Sequence, residues 1–398
     1  MAFGAKLSNA ISSASEAAKQ KASAIMSEGL ALAKKGASAV VSGVTAVLES
    51  DMAYKAVIAA SGLLPGGGII STILKGVKAG YDYALKGEKD YVSADPYLDK
   101  SLKETAMTHC GGNLQAAKAR RRRERESMIA AGKASGDKQK VAAAERLERD
   151  MAGVERARLS KHVYDANDPE KWVGEPPAPP DPPVGFLKPT PEELEKFGIE
   201  QADLQPKGSS FRAQVYKVDP LVGPIPPDFI VAFRGTTEWA DSKEGNIPQA
   251  VGRSSDLYNR AMALADSMGK GTPPSAVEFT GHSLGGGMAS AASVVSGYPA
   301  TTQNSAGLHD NTTKMYGTAL DRKKAESQVN AYRIDDAEKK EILSSLNSLP
   351  LVPDAIGTPR KLRAPKAGVS RLGLHGVDVV IDSIEDNKTE DQQTLAPR

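Results

Sequence analysis

Gly281-His282-Ser283-Leu284-Gly285-Gly286-Gly287 follows the apolar run Ala276-Val277-Glu278-Phe279 and precedes a stretch of small residues from Met288 to Val295. A strand that passes through Gly-x-Ser-x-Gly into a helix is the layout of a nucleophile elbow. The serine of such an elbow sits on a strained turn, where a Cβ on either flank would collide with neighbouring backbone, so the flanks are glycine. The turn lifts Ser283 Oγ clear of the sheet. It also aims the free N–H groups at the start of the helix toward the group that reacts. The motif by itself recurs by chance, so the surrounding chain must carry the argument further.

From Phe211 onward, strand-like and helix-like segments alternate. Phe211 to Val218, Phe229 to Phe233, Val277 to Thr280 and Val329 to Ile334 read as strands. Asp256 to Met268, Met288 to Ser296 and a late segment near Val377 to Ile384 read as helices. This alternation predicts an α/β fold with a mostly parallel central sheet and helices on both faces. Active sites of such sheets lie at the carboxyl ends of strands, which is where Ser283 falls.

The chain before that point has a different character. Leu7 to Ser50 carries apolar residues at three- and four-residue steps with lysines and glutamates between them, the pattern of an amphipathic bundle or coiled-coil helix. Ala56 to Leu74 is uncharged, but Pro65-Gly66-Gly67-Gly68 divides it into halves too short to span a bilayer, which predicts a buried helical hairpin or, less readily, a loop poised to enter a membrane. Asn113 to Leu159 is charged helix, with interruptions expected at Gly132 and Gly136. Its Arg120-Arg121-Arg122-Arg123 run is followed by Glu124 and Glu126 and lacks interleaved aromatics, so it reads as a solvated face rather than a nucleic-acid site. Residues 176–183 are proline-rich and read as a stiff spacer. Two regions are expected: an all-helical N-terminal region, 1–155, for docking, adaptor binding or membrane contact, and an α/β-hydrolase region, 156–398, that includes the proline-rich segment.

With 398 residues and a net charge of +2, the chain has no global field that would favour nucleic acid. Its single cysteine, Cys110, excludes an internal disulfide. The first residues lack the basic-then-apolar pattern of a secretory signal, so synthesis in the cytoplasm without a signal peptide is expected.

A serine nucleophile needs a base, an acid that orients the base, and oxyanion donors. Five histidines are available: His109, His162, His282, His309 and His375. His282 adjoins the serine and points away from it, and His109 and His162 precede the sheet. Of the remaining two, the Ser…Asp…His order of this fold class favours His375 over His309. The acid should follow the strand Val329 to Ile334, which nominates Asp336, with Asp335, Glu338 and Asp354 as rivals. Leu284, next to the nucleophile, supplies one oxyanion N–H. Thr236, in the turn after Phe229 to Phe233, supplies the second. No metal or organic cofactor is required.

Ile230-Val231-Ala232-Phe233-Arg234-Gly235-Thr236, then Trp239, then Gly281-His282-Ser283-Leu284-Gly285-Gly286 together resemble the class 3 lipase family of α/β-hydrolases. The resemblance implies that Thr236 donates to the oxyanion and that a lid around Trp239, about 238–247, covers the site. The chain departs from that family after the strand, with Asp335-Asp336-Ala337-Glu338 where an Asp-x-Val-Pro element is usual. Asn246-Ile247-Pro248-Gln249, Asn304-Ser305-Ala306-Gly307, Pro353-Asp354-Ala355-Ile356 and Leu374-His375-Gly376-Val377-Asp378 resemble bacterial phospholipases associated with type VI secretion. That resemblance implies a membrane phospholipid substrate, an antibacterial effector exported by a contractile apparatus, and an immunity protein and a secretion or adaptor protein as partners. The competing readings are a membrane-perturbing or scaffold protein with a degenerate hydrolase module, and a small-ester esterase.

Overall fold

The computed structural model describes residues 96–98, 100–222, 227–237, 254–270, 277–335, 353–364, 369 and 373–396. The expected helices of 7–50 and 56–74 lie outside these residues, as do Asp336, Glu338 and Trp239. Tyr83–Arg398 forms one compact unit.

Three helices come first: α1 (Lys100–His109), α2 (Leu114–Ala134) and α3 (Lys138–Asp165). The sheet region follows as β1 (Phe186–Leu187), α4 (Pro191–Glu195), α5 (Gln201–Leu204), β2 (Ala213–Val218), β3 (Phe229–Phe233), α6 (Asp256–Lys270), β4 (Val277–His282), α7 (Leu284–Ser296) and β5 (Ala300–Gln303). It ends with α8 (Asp310–Met315), α9 (Arg322–Gln328), β6 (Val329–Ile334), β7 (Thr358–Leu362) and α10 (Val377–Leu395). The expected boundary at 155/156 therefore falls inside the single helix α3. The break between α2 and α3 comes at 135–137, where Gly136 has φ +72° and Asp137 caps α3. Gly132, expected to interrupt the helix, stays helical instead. It is a close-packing point, where a Cβ would sit 3.0 Å from Ala144.

The seven strands lie in sequential order. β1, β2 and β3 pair antiparallel, and β3 through β7 pair parallel. Crossovers between neighbouring parallel strands are right-handed, so a sheet that always advances the same way places its crossover helices on one face. The core on that face joins Val231 and Phe233 of β3 and Val277 and Phe279 of β4 to Tyr258 and Met262 of α6 and Met288 and Ala292 of α7. The alternate residues point the other way. Ile230 and Ala232 pack with Leu159 and Val163 of α3. Tyr332 and Ile334 of β6 pack with Val154 and Ala157 of α3 and with Val380 and Ile384 of α10. The second face is thus covered by the helices that precede and follow the strands.

The arginine run divides its work. Arg120 pairs with Glu124 at 2.9 Å and Arg122 with Glu126 at 2.8 Å, both four residues on. Arg122 also donates to the Val222 carbonyl at 3.0 Å, and Arg121 reaches Ser101. The proline-rich segment is tied to the body, because His162 Nε2 lies 2.9 Å from the Asp181 carbonyl oxygen. Among the described residues, no helix is long and apolar enough to cross a membrane.

Candidate active site

β4 ends at His282, Ser283 turns, and α7 begins at Leu284. Ser283 holds φ 58° and ψ −125°, a conformation that L residues avoid and that persists only where the surroundings enforce it. The enforcement is visible in its partners. Ser283 N donates to the Gln303 carbonyl at 3.0 Å, and its own carbonyl accepts from Ala306 N at 3.0 Å and Gly287 N at 3.2 Å. A Cβ on Gly281 would meet the backbone of Gly285 and lie 2.8 Å from Gly286 N. One on Gly285 would drive into the Phe233 carbonyl and lie 3.1 Å from Gly235 N. Both glycines are therefore dictated by backbone crowding.

His375 closes a short 3-10 turn, Gly373–His375, just before α10. Its Nε2 lies 2.9 Å from Ser283 Oγ, the distance of a base–nucleophile hydrogen bond. His309 serves elsewhere, accepting from Asn311 N at 3.1 Å as the N-cap of α8. The turn carrying Thr236 leaves β3, which runs parallel to β4 with Phe233 opposite Gly281. That turn rests against the elbow, as the nearness of Gly235 N to Gly285 indicates, and Thr236 is half-buried beside it. Leu284 is buried at the start of α7. The Asp335 carboxylate is held by Lys361 at 3.2 Å and Arg333 at 3.3 Å. Asp354 is exposed, and its carbonyl accepts from Leu308 N at 3.0 Å.

Around this pair stand three side chains whose placement follows only from the fold. His282 is buried, with Nε2 2.7 Å from the His375 carbonyl oxygen and Nδ1 3.1 Å from Tyr164 Oη. Asn304, at φ +41°, donates through Nδ2 to the carbonyls of Leu374 and His375, each at 3.0 Å, and accepts from Ile334 N at 3.1 Å. The ring centroids of His282 and His375 are 4.8 Å apart.

Tyr164 belongs to a polar ladder between α3 and β4. Arg156 pairs with Glu278 at 2.7 Å, Ser160 with Thr280 at 3.1 Å, and Tyr164 with His282 at 3.1 Å. Four residues of helix advance about 6.0 Å, and two residues of strand advance about 6.6 Å. The two elements therefore stay nearly in step. Sequence reading set His282 aside as a poor base, and period-2 alternation of Glu278, Thr280 and His282 was the signal that these three share one face.

Burial, and next the nearby His375, push His282 down to about 3. Burial also lowers His162. An unfolded chain protonates both histidines below about pH 6.5, whereas the native state resists. Stability therefore falls as pH drops through that value, for His282 by about 1.4 kcal/mol per pH unit down toward about 3, and His162 acts in the same direction. The urea midpoint should be lower at pH 5.5 than at pH 7.5. His282→Gln should reduce the slope by one proton's worth.

The family model described as a Tle-like phospholipase domain matches residues 155–367, more than half of the chain. An extracellular phospholipase A1 of Serratia liquefaciens is 33% identical over 217 residues, covering 52% of this chain. The matched region spans 65% of that relative's length. The chain belongs to the Tle-like phospholipase domain family.

Proposed function

We propose that this chain is a serine-dependent phospholipase that hydrolyses an acyl ester of membrane glycerophospholipids. The observation that carries the reading is the 2.9 Å approach of His375 Nε2 to Ser283 Oγ on a strained elbow. His375 takes the Ser283 proton as Oγ attacks the ester carbonyl, forming a tetrahedral intermediate. The N–H of Leu284 and the N–H or hydroxyl of Thr236 hold the oxyanion. The intermediate expels lysophospholipid, which leaves with the proton from His375. Water, deprotonated by the same imidazole, then releases the fatty acid from Ser283. Asp336, directly after the β6 strand and its bridge residue Asp335, is the acid assigned to orient His375.

The name of the Serratia relative supports cleavage at sn-1. Family membership supports the further assignment as a secreted antibacterial effector of the type VI kind, with an immunity protein and an adaptor or apparatus component as partners.

The test uses vesicles of 1-palmitoyl-2-oleoyl phosphatidylethanolamine and phosphatidylglycerol, with products identified by mass spectrometry. Palmitate and 2-oleoyl lysophospholipid should appear with the wild type and not with Ser283→Ala. Oleate instead would reverse the regiochemistry. Turnover of short-chain esters alone would mark a small-ester esterase. The absence of any hydrolysis would favour a membrane-binding or scaffold role.

A further inference from the structure

We propose that His282, held by Tyr164, is a positioning residue that fixes the base His375 by gripping its backbone carbonyl. This inference rests on the Ser283–His375 reading above.

The proton placement follows from the contacts. His282 is neutral across the working range, because burial and His375 keep it near 3. A neutral imidazole carries one N–H. A carbonyl only accepts, so that N–H is on Nε2 and donates to His375 O at 2.7 Å. Nδ1 is then an acceptor, and the Tyr164 hydroxyl must donate to it at 3.1 Å. The order of donors is thus fixed along the whole chain: Tyr164 O–H to His282 Nδ1, His282 Nε2–H to the His375 carbonyl.

The His375 carbonyl is gripped from two sides. Asn304 Nδ2 donates to it at 3.0 Å and to the neighbouring Leu374 carbonyl at the same distance. Asn304 Oδ1 accepts from Ile334 N at the end of β6. The turn that bears the base is therefore tied to the ends of β4, β5 and β6 at once. Apolar packing could seat the His375 ring, but it could not fix its backbone against sliding. Hydrogen bonds between buried polar groups fix position sharply because leaving them unmade is costly.

Tyr164 has a second consequence. A Cβ on Gly235 would run into the Tyr164 hydroxyl, with Cζ 3.2 Å away. The tyrosine thus abuts the Arg234-Gly235-Thr236 turn while holding His282. One side chain of α3 touches the oxyanion turn and, through His282, sets the base. The Ser160–Thr280 and Arg156–Glu278 rungs below it hold α3 in register.

The test compares Tyr164→Phe, His282→Leu and His282→Gln by steady-state hydrolysis of a short-chain p-nitrophenyl ester. Ser283 labelling by a fluorophosphonate is followed in parallel, both for rate and for the fraction that finally reacts. His282→Leu removes the donor and should lower kcat by about 10- to 100-fold, the cost of a small misplacement of a reacting group. KM should change by less than about twofold, and the labelling rate should fall in parallel while the final labelled fraction stays near one. His282→Gln places an N–H near the Nε2 position and should recover most of the rate. Tyr164→Phe is isosteric and keeps the fold, and it should lower kcat by about 3- to 10-fold, one hydrogen bond's worth.

The proposal is overturned if Tyr164→Phe and His282→Leu keep wild-type kcat. It is also overturned if Gln fares no better than Leu, or if the whole loss is a smaller labelled fraction with unchanged rate. Those outcomes leave Ser283 dependence intact. Failure of the underlying reading looks different: Ser283→Ala would keep hydrolysing the ester.

Discussion

His375→Ala should lower ester hydrolysis by about 10³- to 10⁵-fold, Ser283→Ala should match it, and the double variant should be no worse than either. The proposed mechanism makes the two side chains one device. Without Nε2 at 2.9 Å, Ser283 Oγ keeps its proton and is a weak nucleophile. Without Oγ, the imidazole has nothing to activate except water. Activity that survives in all three variants would come from the proposed oxyanion donors and substrate binding alone. Ser283→Ala relieves no backbone strain because alanine must hold the same φ, whereas His375→Ala removes a buried ring packed on His282 and should lower the melting temperature. Parallel kinetics of the three variants, at equal folded fraction, check the idea. Additive losses would mean that serine and histidine act on separate steps.

Gly285→Ala should be strongly destabilising, costing about 3 kcal/mol as an overpacking substitution against backbone. The added Cβ would be forced into the Phe233 carbonyl, with the Phe233 carbonyl carbon 3.0 Å away and Gly235 N 3.1 Å away. These are main-chain atoms of β3 and its following turn, and they have no rotamer with which to yield. The turn carrying Thr236, the proposed oxyanion donor, would have to shift with them, so activity should fall together with the melting temperature. Gly269 in α6 is the control: a Cβ there meets nothing within 4 Å. Gly269→Ala should stabilise by about 0.5–1 kcal/mol through helix propensity. Chemical denaturation of both variants reads the contrast. If the two glycines respond alike, crowding at the elbow is not what selects glycine there.

Much of the sheet was legible because its strands obey simple rules. Phe229–Phe233 and Val329–Ile334 were read with the bounds they have, since both are bordered by turn-forming residues and rich in apolar side chains. β5 was missed because Ala300-Thr301-Thr302-Gln303 is fully buried yet contains no large apolar residue. Thr301 instead faces a polar neighbour, donating to Glu278 at 2.6 Å. β7 was missed because Thr358-Pro359-Arg360-Lys361-Leu362 is an edge strand, where proline and charge are tolerated.

Ser283 and His375 could be nominated from motif and order. Tyr164, His282 and Asn304 could not be joined to them, because they lie on α3, β4 and the end of β5 and meet only through the fold. The boundary expected at 155/156 lies within α3. Local composition marks that helix as charged, whereas its service to the sheet depends on contacts more than a hundred residues away.

The ladder between α3 and β4 makes the helix a length gauge for the site. Its three rungs tolerate a mismatch of about 0.6 Å per step between helix and strand, but not a change of phase. One residue added between Arg156 and Tyr164 would turn everything beyond it by about 100°. Tyr164 would then face away from His282 although no residue of the hydrolase motif had changed. Chain length in that stretch is therefore as much a condition of the Tyr164–His282 contact as the identity of the tyrosine.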